Sequence, residues 1–155
     1  MLQELEYYED VKLHEKYRSR EYLLSEKEII DFAKIWEPRS IHTDPESAKT
    51  TEFGGLIATG NHLMSIGVRL TYEVSCETAV PTAYIVNLGW DEVRFVSPGR
   101  PGDRLIFERE VISKRDSKSR AGAGIVGYAN RLINQREDLV VSYKTSALVE
   151  KRPKA

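Results

Sequence analysis

A carboxylate and an imidazole lie five residues apart in the segment that begins at Trp36, as Glu37 and His42. Pro38 and Pro45 stiffen the chain around them. A rigid loop that holds an acid and a base can move a proton to or from one water molecule or one substrate carbon. The same residues also fit ordinary roles, Glu37 as a charge at a helix end and His42 as a loop residue, and the segment by itself favours neither interpretation.

A run of small and apolar residues, GGLIATGN from Gly54 to Asn61, leads into a long helical pattern. Backbone N–H groups at the start of a helix have no partner within it and carry the positive end of its dipole. Because Gly60 has no side chain, a substrate carbonyl can approach its amide closely. The segment therefore supplies a candidate donor for negative charge on a carbonyl oxygen, and this favours catalysis.

Three glycines, Gly122, Gly124 and Gly127, match the dinucleotide-binding pattern G-x-G-x-x-G. That pattern binds a pyrophosphate only where it follows a strand and opens a helix. Here it follows a charged turn and continues into a strand-like run. We therefore expect a strand whose glycines lie at a bend or on a tightly packed face.

Metal binding and covalent catalysis have weak support in this sequence. His14, His42 and His62 are far apart and form no H-x-x-x-H pair, although the fold could still gather them. The single cysteine, Cys76, is best explained as a small buried or half-buried residue, and no G-x-S-x-G nucleophile elbow is present. We therefore expect no metal site and no cofactor.

Three helices are predicted to position these groups. Ser25 and Glu28 fit a capping box, apolar residues follow at helical spacing, and Pro38 blocks further helix. Asp44 and Pro45 suit the first positions of a second, short helix, and the third has apolar residues along one face. The predicted bounds are about 26–36, Pro45 to the pair Gly54-Gly55, and 59–75.

Beyond Pro81 the pattern changes to runs rich in Val, Ile, Tyr, Thr and Phe that polar connections separate. Neighbouring strands with short connections form an antiparallel meander. Because the helices come first and the strands after, the sequence indicates an α+β fold, with the 59–75 helix across one face of a strongly curved sheet. The predicted strands cover residues 16–24, 82–96, 103–114, 121–134 and 138–149.

Length and charge limit the class of protein. The 155 residues suit one domain over 1–155, with a core at about 16–150 and a basic tail at 151–155. With 23 basic against 24 acidic residues, the chain lacks the basic footprint of a nucleic-acid binder. The longest uncharged segment, 53–68, is shorter than the roughly 20 residues of a membrane span, and the charged N-terminus has no signal core. We expect a cytoplasmic protein without a nucleic-acid or membrane partner.

Taken in order, these segments resemble the MaoC-like hydratase/dehydratase family of the hotdog fold. That family has Asp-x-Asn-Pro-x-His or Asp-Pro-x-Pro-x-His before a short helix, then Gly-x-Ile-Ala-His-Gly at the start of the central helix. This chain departs from the pattern at Glu37, Ser40 and Thr59, where the family has aspartate, proline and histidine. The resemblance covers roughly residues 20–149 and rests on EPRSIHTDPESA (37–48), GLIATG (55–60), GWDEVRF (89–95), PGRPGDRL (98–105) and NQRE (134–137).

The resemblance implies an enzyme that adds or removes water across the double bond of a trans-2-enoyl thioester, usually of coenzyme A. His42 would then act on the catalytic water and the α-carbon proton, and Glu37 would take the place of the catalytic aspartate. Gly60 would donate its backbone N–H to the thioester carbonyl. The other expected substrate contacts are Trp36, Ile57 and Thr59.

Two alternatives from other classes stay open. Acyl-CoA thioesterases also occur on the hotdog fold, but they typically place a carboxylate on the central helix, where the acidic residue is Glu73, late in the helix. The Glu37 side chain also has about 1.5 Å more reach than an aspartate. That difference fits a catalytically weakened protein that binds acyl thioesters.

For assembly, the resemblance implies a homodimer or a higher homo-oligomer. In the dimer the sheets would join edge to edge, with the coenzyme A arm at the subunit boundary. A small curved sheet with a free edge is compatible with such pairing. Arg94, Arg100 and Arg104 could contact the phosphates of coenzyme A or only face solvent.

Overall fold

The computed structural model describes residues 4–74 and 80–154, so that Cys76 lies outside the described residues. None of the helices within these ranges has both the length and the apolar character needed to cross a membrane. The elements, in chain order, are β1 Lys16–Arg18, β2 Tyr22–Leu23, α1 Glu26–Trp36, α2 Ser40–Thr43, α3 Pro45–Lys49, α4 Gly60–Tyr72, β3 Tyr84–Phe95, β4 Arg104–Asp116, β5 Ala123–Ile133 and β6 Leu139–Glu150.

The strands form one curved antiparallel sheet in the order β1-β4-β5-β6-β3, and β2 also pairs with β4. The predicted meander is correct for β4, β5 and β6 but wrong for β3, which pairs with β6 and not with β4. The connection between β3 and β4 packs on the start of α4 and does not form a hairpin turn. The apolar face of α4 lies against this sheet. Leu63, Ile66 and Leu70 of the helix belong to one buried cluster with Phe107 and Leu132 of the strands. The expected α+β arrangement, a long helix against a curved antiparallel sheet as in the hotdog fold, is confirmed.

The glycines of the G-x-G-x-x-G match lie in and just before β5 and do not open a helix. A Cβ atom on Gly127 would lie 2.2 Å from Ser113 Oγ, and one on Gly124 would lie 2.2 Å from the ring of Tyr8. The expectation of a tightly packed strand is therefore confirmed, and the segment offers no dinucleotide site.

The helical region differs from the prediction in two places. The helix that begins at Pro45 ends at Lys49 instead of at the glycine pair, because Thr50 and Thr51 turn their hydroxyls onto carbonyls of the preceding turn. The residues just before it, expected as a loop, form α2, in which the backbone N–H of Asp44 donates to the carbonyl of Ser40.

The predicted strand at 16–24 is divided into β1 and β2. Ser19 Oγ accepts the backbone N–H of Phe107, and the backbone N–H of Arg20 donates to Glu73 at 3.3 Å. These side chains take donors that a continuous ladder would use, so the pairing with β4 is interrupted.

The turn between β3 and β4 holds the segment that leads into α4. The backbone N–H of Ala58 donates to the carbonyl of Gly99 at 2.9 Å. A Cβ atom on Gly99 would lie 2.7 Å from Leu63 Cδ2, so the turn packs directly on the helix. The turn thus helps to position the first residues of α4.

Asp103 stabilises this turn, and its removal is expected to destabilise the protein. The buried carboxylate accepts the backbone N–H of Arg100 at 2.8 Å and Nε2 of Gln135 at 3.2 Å. Asp103→Ala leaves both donors without that acceptor, so we expect a loss of about 1–3 kcal/mol in the free energy of unfolding, measured in urea. Glu52→Ala, at an exposed site, is the control. Equal stability of the two variants would contradict this role.

Candidate active site

The imidazole of His42 is held between α2 and the segment that leads into α4. The ring is buried, and Nδ1 lies 2.8 Å from the carbonyl oxygen of Ile57. A carbonyl oxygen can only accept a hydrogen bond, so Nδ1 carries the hydrogen, and Nε2 of the neutral ring keeps its lone pair. The structure therefore orients Nε2 as the basic nitrogen.

Glu37 follows α1 directly, and its backbone N–H donates to the carbonyl of Ala33 at 2.8 Å. Its Oε1 atom lies 3.9 Å from Nε2 of His42, and the guanidinium of Arg39 contacts the same oxygen. The distance of 3.9 Å is too long for a direct hydrogen bond. The two groups are therefore together, as the sequence predicts, with a separation that lets one small oxygen-bearing group contact both.

The start of α4 is defined by its cap and by an aromatic ring. Thr59 is buried, and its Oγ1 accepts the backbone N–H of His62 at 3.0 Å. A Cβ atom on Gly60 would lie 2.7 Å from Cζ of Phe95, so this ring lies against the glycine. The Gly60 amide is at the helix start, where N–H groups have no partner within the helix.

The three expected substrate contacts have different environments. Trp36 lies at the end of α1 with 68% of its surface exposed. Ile57 is buried, and its carbonyl orients His42. Thr59 is buried, and its hydroxyl caps α4. Only the indole of Trp36 is therefore openly accessible among these three side chains.

Two cavities flank α4. One, of about 560 Å³, lies between α1 and α4 and includes Trp36. The other, of about 540 Å³, lies between α4 and β3 and is lined by Asn61, Val68 and Phe95 among others. Neither cavity, nor a smaller third one, includes Glu37 or His42. One copy of the described chain thus does not bring the acid and the base into any of these three cavities.

A second carboxylate–imidazole pair was missed by sequence reasoning, which placed Glu28 in a capping box. Ser25 does accept the backbone N–H of Glu28, but the Glu28 carboxylate bonds His62 instead, with Oε1 3.0 Å from Nε2. The hydroxyl of Tyr22 donates to the same oxygen, and burial together with this bond raises the pKa of Tyr22 to about 12. The partners lie 34 residues apart, and no local pattern connects them.

The histidines have separate partners. His14 lies on the surface with Nδ1 3.1 Å from Glu110, while His42 and His62 contact different carboxylates. In residues 4–74 and 80–154 no group of three or more His, Cys, Asp or Glu side chains could hold a metal ion.

The three arginines with a candidate phosphate role make local contacts. Arg100 donates to the carbonyl of Phe53 at 2.7 Å, Arg94 donates to the carbonyl of Val93, and Arg104 lies 3.5 Å from Glu21. These contacts occupy part of each guanidinium.

Several known proteins are similar to this chain. The model of the MaoC like domain matches residues 10–130. Protein YdeM of Bacillus subtilis, uncharacterized, is 26% identical over 135 residues, which cover 87% of this chain and 92% of YdeM. Mesaconyl-CoA hydratase of Cereibacter sphaeroides is 37% identical over 71 residues, which cover 46% of this chain and only 20% of that enzyme. The crystal structure of a MaoC-like dehydratase from Rhodospirillum rubrum is 30% identical, with a TM-score of 0.85, covering 96% of this chain and 99% of that one. The chain belongs to the MaoC-like domain family.

Proposed function

We propose that this protein adds water to, or removes it from, the double bond of a trans-2-enoyl thioester, with coenzyme A as the thiol. The observation that carries the proposal is the placement of Nε2 of His42, with its lone pair, 3.9 Å from Oε1 of Glu37. Membership of a hydratase/dehydratase family supports water addition or elimination in general.

In the hydration direction, His42 acts as the base. Its Nε2 takes a proton from water while the water oxygen forms a bond to the β-carbon of the substrate. The electron pair of the double bond moves toward the thioester, and the proton on Nε2 is then delivered to the α-carbon. Water has been added, and the neutral imidazole is restored.

Glu37 and Gly60 stabilise the charges that form during these reaction steps. The carboxylate of Glu37 orients the attacking water and lies close to the imidazolium that forms on His42. The N–H of Gly60 donates to the thioester oxygen as it gains enolate charge, and a fixed donor needs no reorganisation during the reaction. Trp36, which is exposed beside Glu37, provides a surface for the thioester arm, while Ile57 and Thr59 act through His42 and the α4 cap.

The decisive experiment follows the absorbance of the conjugated enoyl thioester during incubation with the purified protein. We expect absorbance to fall with trans-2-enoyl-CoA, and no free thiol to appear. Release of thiol would identify a thioesterase instead. Tight binding without turnover across chain lengths would identify a protein that only binds acyl thioesters, and either outcome would overturn the proposal.

The thioesterase alternative depends on Glu73, whose position does not favour it. Its carboxylate is buried at the C-terminal end of α4 and lies 2.7 Å from Nε of Arg20. Gly60 is the first of the 13 residues of α4 and Glu73 directly follows the last, so the two are about 20 Å apart along the helix. A water activated by Glu73 would therefore be far from a carbonyl held by the Gly60 amide.

We also propose that two copies of the chain pair along β3. This strand is at one end of the sheet and pairs only with β6 among the strands described. Four alternate side chains on it are apolar and about half exposed, namely Tyr84, Val86, Leu88 and Trp90. A long apolar edge strand is a template for pairing with another chain. The partner would also add walls near α4, where the two cavities described for one copy do not include Glu37 or His42.

A charge placed on this edge is expected to separate the dimer. Leu88→Lys should yield a species near 17.7 kDa in sedimentation at micromolar concentration, and the unchanged protein should sediment near twice that mass. The control is Leu23→Lys, which changes an exposed leucine on β2. A monomeric unchanged protein, or a dimeric Leu88→Lys variant, would exclude pairing through β3.

A further inference from the structure

We infer that His62 is a positioning residue that fixes the end of α1, and with it Glu37, relative to the Gly60 amide. The inference rests on the proposed function, and it concerns residues outside the pair formed by Glu37 and His42. It follows from the contacts that His62 makes on both helices.

On α4, His62 belongs to the first turn, two residues after Gly60. Its backbone N–H donates to Oγ1 of Thr59 at 3.0 Å, so the residue takes part in the cap that begins the helix. The residue is 4% exposed. The ring is therefore held in a fixed relation to the Gly60 amide.

On α1, the same ring contacts two successive turns. Nε2 lies 3.0 Å from Oε1 of Glu28, and the ring stacks on Phe32 with centroids 4.4 Å apart and planes 7° apart. Phe32 in turn contacts Trp36, with ring centroids 6.4 Å apart, and Glu37 comes next in the chain. Because a helix is stiff, holding α1 at Glu28 and Phe32 determines where its C-terminal end lies.

The contacts of His62 favour a positioning role over a chemical one. Nε2 is occupied by Glu28, and that carboxylate also accepts a bond from Tyr22. Nδ1 is buried and has no hydrogen-bond partner among the described residues. Neither ring nitrogen is therefore presented to a substrate, although the ring borders the cavity between the two helices.

The size of the effect follows from the precision that proton transfer requires. A displacement of about 1 Å in a reacting group can cost about 10²-fold in rate. His62→Phe keeps a ring over Phe32 but removes the bond to Glu28, so we expect kcat to fall by about 10-fold or more and KM to change by less than about 3-fold. His62→Gln keeps an N–H donor and should recover most of kcat.

Glu28→Ala provides the same test from α1. It removes the acceptor for Nε2 of His62 and should lower kcat as His62→Phe does. Glu26→Ala is the matched control, because Glu26 is an exposed acidic residue in the same first turn of the helix. All assays are run well below the unfolding temperature of each variant, which is measured separately.

The kinetic outcomes separate the possible roles. A pH profile of kcat with unchanged shape and lower height in His62→Phe supports positioning. Loss of one limb of that profile would mean that His62 transfers a proton itself. Unchanged kcat with a lowered unfolding temperature would mean a purely structural role. Either of the last two results overturns the inference.

A second measurement tests the position of α1 without an activity assay. In ¹H–¹⁵N spectra of the full chain, the amide resonances of Glu37 and Gly60 should shift in His62→Phe and in Glu28→Ala but not in Glu26→Ala. If the unchanged protein acts on no enoyl thioester, the proposed function fails, and these spectra alone decide the inference. Unshifted Glu37 and Gly60 resonances overturn it.

Discussion

Replacement of His42 with alanine is expected to lower the rate of enoyl-thioester hydration by about 10²- to 10⁴-fold, the contribution typical of a general base. The variant loses Nε2, which takes the proton from water. It also loses the Nδ1–H donor to the carbonyl of Ile57, 2.8 Å away. The measurement is the initial rate of absorbance loss at saturating thioester, with circular dichroism to show that the variant is folded.

The matched variant for this experiment is Glu37→Gln. It keeps the length and volume of the side chain and removes the negative charge that faces Nε2 of His42. We expect its rate to fall as well, because the imidazolium formed during proton transfer loses its counter-charge. If His42→Ala and Glu37→Gln both retain the full rate, the roles assigned to these residues are wrong.

Replacement of Gly60 with alanine is expected to lower the rate by about 10²- to 10³-fold, as does the loss of one donor from an oxyanion site. The new Cβ would lie 2.7 Å from Cζ of Phe95 and 3.0 Å from both Cε atoms. Either the ring moves toward the place of the thioester carbonyl, or the start of α4 shifts and carries the donor with it. In either case the Gly60 amide and the developing enolate are no longer aligned.

The control for this variant is Gly55→Ala, because a Cβ at Gly55 would make only an ordinary contact, 3.7 Å from Nη1 of Arg100. Its rate should match that of the unchanged protein. Adding Phe95→Leu to Gly60→Ala should restore part of the lost rate, since the smaller side chain relieves the overlap. A fully active Gly60→Ala variant would show that the amide of Gly60 does not bind the reacting carbonyl.

The local elements of this fold could be predicted because their causes lie within a few residues of sequence. Ser25 and Asp44 cap α1 and α3 with their side-chain oxygens, as their positions before the helical segments indicate. Pro38 follows α1 and prevents its continuation. The four long strands were evident from runs of β-branched and aromatic residues. Their order in the chain predicted one antiparallel meander, which holds for β4, β5 and β6 but not for β3, because β3 pairs with β6 at the far side of the sheet.

Elements that depend on distant partners could not be predicted in the same way. The strand predicted at 16–24 is interrupted because Arg20 bonds to Glu73, more than 50 residues further along the chain. The Glu28 carboxylate likewise bonds to the distant His62 and does not complete the expected capping box. In both cases a tertiary contact competes with a local one, and the sequence contains no periodic signal of that competition.

For the candidate site, the sequence by itself determined which groups are available: an acid and a base five residues apart, and a glycine at the start of a helix. These features are local, so residue type and spacing are enough to reveal them. Only the tertiary structure decided which ring nitrogen of His42 carries the hydrogen, because that depends on the carbonyl of Ile57. It also decided the 3.9 Å distance between Nε2 of His42 and Oε1 of Glu37, and the packing of Phe95 on Gly60. Each of these depends on how separate segments pack against one another, and a distance between side chains exists only once that packing has formed.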